Sequence, residues 1–462
     1  MSWQGVAAVA AGAMWSVSSL AVAGAASTWG KPTEIPGLHD AFANSISCVS
    51  PGDCAATDEP DSRHATVVSE NRGHWGKVTE VPGLTALVKG GTLLKIDISC
   101  GTLGNCAVGG AWLGTRDHGF AFVASETNGK WGKAIRVPGL DALNTGKDED
   151  LTSISCTAGG GCVAGGSYEV ASPRGADAFV VSERNGHWGR AIPVPGLKAS
   201  GFARLRTLTC ISPGNCSAGG NFRVGTNQAG FVVSEKNGRW GKAIEVPGLG
   251  ALSVGGDSEV DQVTCPSTVS CVAGGIYSGN HDDIEAFVVS EKNGTWGKAI
   301  AVPALKTLNA GGIADIESIS CPAPGDCAVG GTYKDARFEF QGYVASEKNG
   351  IWGKAIEIPN LGRLNVGGNV DIVQVGCRTA GNCVAGGDYL TAPGEDSDTN
   401  AFVASESKGR WGKATQVPGL STLNIGSASV NVISCPRSRP CTAFGSYENH
   451  SRRFSAFEVS QK

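Results

Sequence analysis

The sequence predicts an all-β protein, an eight-bladed β-propeller of four-stranded antiparallel blades in which an N-terminal strand completes the last blade. Three observations lead to this prediction. One unit recurs eight times, each unit contains four strand-like segments, and the two ends of the chain carry complementary parts of a unit. A parallel β-helix is the alternative, although its coils are usually shorter and do not carry two tight hairpins each.

The repeat is located by tryptophans that recur at intervals of roughly 46 to 59 residues, a period typical of solenoids, propellers or arrays. The eight members are Trp29, Trp75, Trp131, Trp188, Trp240, Trp296, Trp352 and Trp411. Because they recur in every unit, we interpret them as packing residues between blades rather than as a functional site.

Four short segments in each unit have the composition of strands. They read ESISC, CAVGGTY, AFVVSE and WGKAIEVP in representative copies, and Gly, Pro or Asn bounds each of them. Asn-Gly, a strong hairpin signal, separates the third and fourth segments in most copies. Consecutive segments are therefore expected to pair antiparallel, as in a propeller blade.

The last unit contains only three such segments, which end at FEVSQK, while WGKPTEIPG near the N-terminus resembles a fourth segment. A propeller must close into a ring, so we expect the N-terminal segment to be the outer strand of the last blade. This arrangement predicts a single propeller domain over residues 27–462.

The first 26 residues are interpreted as a secretory signal peptide. The stretch Gly5–Ser27 carries no charge, and Ala23-Gly24-Ala25 fits a small-residue cleavage site. The leading residues MSWQ lack the usual Lys or Arg, and an uncleaved membrane anchor is the alternative. In either case we expect the rest of the chain to be secreted or held at the cell surface, with no further membrane span.

The sixteen cysteines form eight local pairs, each with five residues between its members. An even count with fixed spacing in an exported protein favours disulfides, whereas zinc sites usually have tighter spacing and a second pair or histidines nearby. The predicted disulfides are Cys48–Cys54, Cys100–Cys106, Cys156–Cys162, Cys210–Cys216, Cys265–Cys271, Cys321–Cys327, Cys377–Cys383 and Cys435–Cys441. No metal and no cofactor are expected.

Composition also limits the partners. The formal charge is −4, only 17% of residues are charged, and there is no run of Lys or Arg, so nucleic acid is not an expected partner. We expect a monomer that meets a glycan or an extracellular protein.

The turn sequence SEKNGTW resembles the Asp-box repeats of bacterial neuraminidase-type propellers, with Ser290, Gly294 and Trp296 at the positions of the family's Ser, Gly and Trp. The defining Asp is absent from every copy, and each copy is one residue shorter before Trp. The SxSC and AGG portion is similar to exported actinobacterial propeller repeats. The resemblance implies a propeller, and a sialidase would in addition need three converging arginines, an acid and a Tyr nucleophile. Arginines near the expected face are Arg116, Arg174, Arg204, Arg206 and Arg337.

The two sets of loops in a propeller fall on opposite faces. The cystine loop and the Asn-Gly turn share one face, which we call the cystine face, and both are nearly invariant among the units. The second-to-third loops and the blade connections share the other, which we call the variable face. Binding residues tend to lie on variable loops held by a regular scaffold, so we expect any recognition there.

Two recurrent features mark the variable face. An aromatic residue stands six positions after the second Cys in seven units, with Pro60 as the exception, and can either stack against a ligand or pack between blades. These residues are Trp112, Tyr168, Phe222, Tyr277, Tyr333, Tyr389 and Tyr447.

Charged residues also recur on this face: six positions before the first Cys stand Asp150, Glu259, Asp315 and Asp371, with Arg204 in the intervening unit. These charges can rim the central channel and bind a cation or cationic group, or they can be solvated turn residues.

The remaining polar clusters carry weaker signals. His281 and Asp282, in the run GNHDD, are included among the candidate binding residues, although one histidine without a second cluster is weak evidence for metal. The seven glutamates of the Ser-Glu pairs recur too regularly for catalysis and are interpreted as structural. They are Glu70, Glu126, Glu183, Glu235, Glu291, Glu347 and Glu406. No catalytic residue is assigned.

Together these features predict an exported binding or scaffold propeller of the cell envelope that recognises a glycan or protein through its variable face. The alternatives are a glycan-active hydrolase or lyase of the sialidase-like propeller type and a purely structural surface protein. An enzyme requires Arg, acid and Tyr side chains that converge on one pocket.

Overall fold

The computed structural model describes residues 28–39, 45–50, 52–61, 63–116, 118–171, 175–197, 201–371, 373–394, 397–437 and 439–462. The predicted signal peptide lies outside these residues. The described strands form eight antiparallel sheets, each of which is one blade. The predicted eight-bladed all-β propeller is therefore confirmed.

Blades 1–4 follow the same order from the innermost strand outward. Blade 1 contains Ser45–Ser50, Asp53–Asp61, His64–Asn71, His74–Trp75 and Thr79–Glu80. Blade 2 contains Thr92–Thr102, Asn105–Leu113, Gly119–Thr127, Lys130–Trp131 and Ile135–Arg136. Blade 3 contains Glu149–Cys156, Cys162–Val170, Gly175–Arg184, His187–Trp188 and Ile192–Pro193. Blade 4 contains Ala203–Ser212, Asn215–Val224, Asn227–Lys236, Arg239–Trp240 and Ile244–Glu245.

Blades 5–7 repeat this order, and blade 8 is assembled from both ends of the chain. Blade 5 contains Ser258–Ser267, Ser270–Ser278, Ile284–Lys292, Thr295–Trp296 and Ile300–Ala301. Blade 6 contains Ser318–Ala323, Asp326–Lys334, Phe340–Lys348, Ile351–Trp352 and Ile356–Glu357. Blade 7 contains Val373–Thr379, Asn382–Leu390, Thr399–Ser407, Arg410–Trp411 and Thr415–Gln416. Blade 8 contains Ala428–Ser434, Thr442–Glu448, Phe454–Ser460 and the N-terminal Thr33–His39.

The outer strand of blades 1–7 is split into two short segments, which the sequence did not predict. Both segments pair with the third strand, as the register Trp75↔Glu70 and Thr79↔Val67 shows in blade 1. At the interruption an alanine N–H turns to the preceding blade, so that Ala134 donates to the carbonyl oxygen of Pro82 at 2.7 Å. Equivalent bonds join Ala191 to Pro138, Ala243 to Pro195, Ala299 to Pro247, Ala355 to Pro303 and Ala414 to Pro359. The interruption thus provides a hydrogen bond between neighbouring blades.

Short helical turns follow the outer strands and begin with a leucine that is buried in the core. The α-helical turns are Leu84–Leu87, Leu249–Leu252, Leu305–Leu308 and Leu361–Leu364, and the 3₁₀ turns at this position are Leu140–Ala142 and Leu420–Thr422. A further 3₁₀ turn, Asn280–Asp282, lies in the second-to-third loop of blade 5. Elements of a single turn produce no helical periodicity, so the sequence pattern could not identify them.

The ring closes through the N-terminal strand, as predicted. Thr33 pairs with Glu458 and Trp29 with Gln461, and the Gly30 N–H donates to the Ser460 carbonyl oxygen at 2.8 Å. Gln461 takes the place of the glutamate of the other blades, because its amide donates to Ser405 Oγ of blade 7 at 3.0 Å. Blade 8 is therefore a complete four-stranded sheet.

Serines of the repeat connect neighbouring blades. The serine before the first Cys accepts a hydrogen bond from the first Cys N–H of the next blade in four pairs: Ser47 with Cys100, Ser99 with Cys156, Ser155 with Cys210 and Ser320 with Cys377. Farther out, Ser346 Oγ donates to Glu406 Oε1 at 2.9 Å and accepts from the Trp411 indole N–H at 3.3 Å. The Trp188 indole N–H likewise bonds Ser125 Oγ of the preceding blade at 2.9 Å. The Ser-Glu pairs and the tryptophans lie at blade interfaces, as expected.

All eight predicted disulfides are present, and the described residues contain no free cysteine. Each joins the first and second strands of one blade across a Cα–Cα distance of 4.0 to 4.2 Å. Disulfides at this density are typical of proteins in an oxidising compartment. In the part of the chain that the structure describes, no helix is both long and apolar enough to span a bilayer.

Candidate binding face

Hydrogen bonds show which loops share a face. In six blades the glycine N–H of the turn between the third and fourth strands donates to a carbonyl oxygen of the cystine loop, as Gly129 does to Gly104 at 2.8 Å. On the other face the blade connections bond the end of the second strand, as Gly255 does to the Ser278 carbonyl oxygen at 2.9 Å. The blade connections and the second-to-third loops therefore form one continuous surface, the variable face.

The recurrent aromatic residues are core residues rather than an exposed ring. Trp112, Tyr168, Tyr277, Tyr333, Tyr389 and Tyr447 are between 2% and 8% exposed, and only Phe222 is half-buried. Five of the seven rings contact the aromatic residue of the third strand in their own blade, at centroid distances of 6.2 to 6.5 Å. The six buried rings have no free face for a ligand, so the stacking interpretation does not fit them. The side chain at Pro60 lies outside the described residues.

The acids before the first Cys occupy three different environments. Asp150 is ion-paired with Lys95 of blade 2 at 3.1 Å, and Glu259 is ion-paired with Arg206 of blade 4 at 2.8 Å. Asp315 accepts hydrogen bonds from the N–H and hydroxyl of Thr332 at 2.7 and 3.1 Å, while Asp371 is exposed. The four carboxylates thus differ in their partners and in their exposure.

Blades 5 and 6 carry a second pair of acids at the innermost strand. Asp261 and Glu317 stand four residues before the first Cys, two positions after the predicted acids, and sequence comparison at that position could have found them. Burial raises the pKa of Asp261, and the carboxylates of Glu259 and Asp315 act in the same direction. Burial together with Asp315 raises the pKa of Glu317 to about 9. Strong perturbation of this kind is typical of functional sites, although structural networks also produce it.

A cavity on the variable face lies between blades 3 and 4 and has a volume of about 340 Å³. We call it the blade 3–4 cleft; its lining includes Asp148, Asp150, Tyr168, Glu169, Phe202, Arg204 and Arg206. It contains three of the predicted residues, Asp150, Tyr168 and Arg204. Its volume falls within the range of ordinary small-ligand sites.

Arginines of blade 4 form a basic patch beside this cleft. The guanidinium carbons of Arg204 and Arg223 lie 5.2 and 5.6 Å from the centre of the Phe202 ring. Both arginines are exposed, and neither belongs to an ion pair between described residues. Phe202 and Arg223 were missed by the sequence analysis because they have no counterpart in the other blades. Guanidinium groups that are held by an aromatic ring present their N–H groups for bidentate contact with an anion.

The cleft holds Arg, acid and Tyr side chains, but their contacts do not form a sialidase-like arrangement. The Tyr168 hydroxyl donates to Asp177 Oδ2 at 3.4 Å, and burial together with Asp177 raises the pKa of Tyr168 well above its usual value. A phenol with a raised pKa is a poor nucleophile at neutral pH. The arrangement is thus better suited to binding an anionic group than to covalent catalysis.

The other predicted residues are dispersed. His281 and Arg116 are exposed, in blades 5 and 2 respectively. The side chain of Asp282 and all of Arg174 lie outside the described residues. Arg337 contacts Asp335 and Glu339 at 3.5 and 3.6 Å, in the loop that exposes 69% of Phe338. Among the described residues, no group of three or more His, Cys, Asp or Glu is arranged to hold a metal ion.

Comparison with known proteins finds solved structures of low sequence identity. No protein-family model and no curated protein matches the chain. Sqt1 from Chaetomium thermophilum is 12% identical, with 93% of this chain and 98% of that chain aligned and a TM-score of 0.49. A PL25 ulvan lyase bound to an oligosaccharide is 9% identical over 85% and 94% of the two chains, with a TM-score of 0.41. The microbial sialidase Hz136 is 8% identical over 91% and 66%, with a TM-score of 0.38.

Proposed function

We propose that this protein is an exported binding propeller that recognises an anionic glycan in the blade 3–4 cleft of its variable face. The observation that carries the proposal is the pair of exposed arginines, Arg204 and Arg223, stacked on Phe202 beside a cavity of about 340 Å³. Export is inferred from the eight disulfides and from the uncharged N-terminal stretch. The protein is expected to act as a monomer and without a cofactor.

Charge and geometry support an anionic ligand. Arg206 is neutralised by Glu259 and Lys95 is paired with Asp150, whereas Arg204 and Arg223 belong to no ion pair between described residues. Each can donate two parallel hydrogen bonds to a carboxylate or sulfate. The acids on the cleft wall can accept hydrogen bonds from sugar hydroxyl groups, so a saccharide that bears carboxylate or sulfate matches both halves of the lining.

The experiment is a glycan array probed with the mature protein and with the variant Arg204→Ala/Arg223→Ala. We expect the wild type to bind uronic-acid-containing or sulfated glycans and the double variant to bind at least about tenfold more weakly, because charge-assisted hydrogen bonds are lost. The control is Arg239→Ala, which removes an exposed arginine from the cystine face away from the cleft. Equal binding by this control and the double variant would contradict the proposal. Capture of a protein with no glycan signal would assign the face to a protein partner.

A glycan-active enzyme is the second candidate, because Glu317 has a pKa of about 9 and therefore retains at neutral pH a proton that a general acid can donate. The test is incubation with uronic-acid-containing and sulfated polysaccharides, followed by measurement of new reducing ends. New reducing ends that form with the wild type but not with Glu317→Gln would establish this alternative. If the wild type produces no new reducing ends, the enzyme candidate is excluded. A purely structural protein would show neither binding nor turnover.

A further inference from the structure

A second large cavity lies on the cystine face, between blades 6 and 7, and has a volume of about 500 Å³. We call it the blade 6–7 crevice; its lining includes Ser346, Lys348, Lys354, Glu406, Lys408 and Trp411. Sequence reasoning assigned no function to this face, because its loops are nearly the same in every unit.

Glu406 lines the crevice, and one of its carboxyl oxygens has no hydrogen-bond partner among the described residues. The residue is only 4% exposed; its Oε1 accepts from Ser346 Oγ at 2.9 Å, while its buried Oε2 has no hydrogen-bond partner within the described part of the chain. Burial raises the pKa of Glu406. A buried polar atom without a partner costs roughly 1–3 kcal/mol, and this oxygen is closed to solvent in the folded protein.

Other blades also contain a buried glutamate oxygen without a hydrogen-bond partner. The crevices between blades differ in their open volume. Between blades 4 and 5 the Lys236 ammonium lies across the gap, 3.4 Å from the Gly294 carbonyl oxygen, and only about 10 Å³ remains. The crevice between blades 3 and 4 has an open volume of about 380 Å³ beside Glu235. Its residue equivalent to Lys348 is Arg184, whose guanidinium group lies against Gly238. The blade 6–7 crevice is larger than both.

Three lysines surround the blade 6–7 crevice. Lys348, Lys354 and Lys408 are exposed, and none of them belongs to an ion pair between described residues. Trp411 forms part of the wall, and the bond from its indole N–H to Ser346 Oγ at 3.3 Å holds the ring in place. A fixed indole and unpaired ammonium groups are complementary to the apolar face and the carboxylate of an acidic sugar.

We propose that the blade 6–7 crevice is a second saccharide-binding site, specific for a short uronic-acid-containing oligosaccharide. The ligand carboxylate contacts the lysines, and a sugar ring packs against Trp411. This site is on the opposite face from the blade 3–4 cleft and does not depend on the proposed function of that cleft.

The test is calorimetric titration of the full-length protein with trigalacturonate, with maltotriose as the neutral probe. Lys348→Ala/Lys354→Ala is expected to weaken trigalacturonate binding at the crevice roughly tenfold or more. Ala380→Trp, which places a large ring at an exposed position of the lining, is expected to block it. The matched control, Lys292→Ala/Lys298→Ala, removes the same two lysines one blade earlier and is expected to bind like the wild type.

The variable-face variant separates the two proposals. Arg204→Ala/Arg223→Ala is expected to retain the crevice affinity, since its substitutions lie on the other face. Loss of trigalacturonate binding in that variant, with full binding in Lys348→Ala/Lys354→Ala, would overturn the crevice proposal and assign the ligand to the cleft. Absence of binding to the wild type, or equal affinity for maltotriose, would also overturn it. Circular dichroism of each variant checks that the fold is retained.

Discussion

Paired glycines in the second strand allow adjacent strands and blades to approach closely. A Cβ on Gly219 would overlap Val260 of blade 5, and a Cβ on Gly220 would overlap the carbonyl oxygen of Arg204 in the innermost strand of its own blade. The innermost strand is irregular at this point, because its register with the second strand shifts between Leu205 and Thr207. The two glycines of the AGG motif are therefore required because there is no space for a Cβ atom at either position.

Gly220→Ala is expected to lower the free energy of unfolding by about 3 kcal/mol or more, because backbone rather than a flexible side chain would have to move. Chemical denaturation of the purified variant measures the change. Gly241→Ala in the same blade is the matched control, since its Cβ would lie 3.4 Å from the Ser234 carbonyl oxygen, an ordinary contact. Equal midpoints for the two variants would contradict the steric argument.

The strands were largely predictable at the scale of the element, and the exceptions have identifiable causes. Strand-like composition bounded by Gly, Pro or Asn indicated the strands of each blade, and Asn-Gly indicated the turn after the third strand in most copies. The outer strand was predicted as continuous because WGKAIEVP has strand composition throughout. Its interruption depends on the bond from Ala134 to Pro82 and its equivalents, which join residues of different blades. No pattern within one unit contains that information.

The N-terminal strand provides a direct test of the completeness of blade 8. Ile35 is fully buried and lies in a cluster with Leu38, Ile46 and Phe444, which spans blades 8 and 1. Ile35→Ala is expected to cost roughly 2–5 kcal/mol of unfolding free energy. Ile358→Ala, at the equivalent buried position of blade 6, should cost a similar amount. A much smaller cost for Ile35→Ala in denaturant titrations would show that the last blade is frayed.

At the scale of the whole ring, the interface between blades 8 and 1 combines two acidic side chains. Glu458 of the last strand acts electrostatically on Glu70, which is 2% exposed and has an unpartnered Oε2. Burial first, and then the charges of Glu458 and Asp53, raise the pKa of Glu70 to about 7. Burial also raises the pKa of Glu458. Two carboxyl groups with raised pKa values therefore meet where the ring closes.

This interface predicts a pH dependence of stability. A carboxyl group whose pKa is raised from 4.5 to about 7 on folding favours the protonated form in the folded state. The associated stability is full below pH 4.5 and is lost as the pH rises through about 7. Glu70→Gln is expected to flatten this loss and to raise the melting temperature at pH 8 relative to the wild type.

Thermal melts between pH 4 and pH 9 measure the effect of Glu70→Gln. Glu245→Gln, an exposed substitution with the same change of charge, is the control and should follow the wild-type profile. Parallel wild-type and Glu70→Gln profiles over this range would show that the interface does not titrate in the folded state.

The sequence was sufficient to predict the fold, the number of blades, the eight cystine pairs, the closure of the ring and the division into two loop faces. These properties follow from local spacing repeated eight times. The folded structure was needed to show that six recurrent aromatic residues are buried, that Arg204 and Arg223 share Phe202, and that the crevice beside Glu406 is open. Those features depend on distances across blade interfaces, where small differences in side-chain length and strand irregularity decide which groups meet.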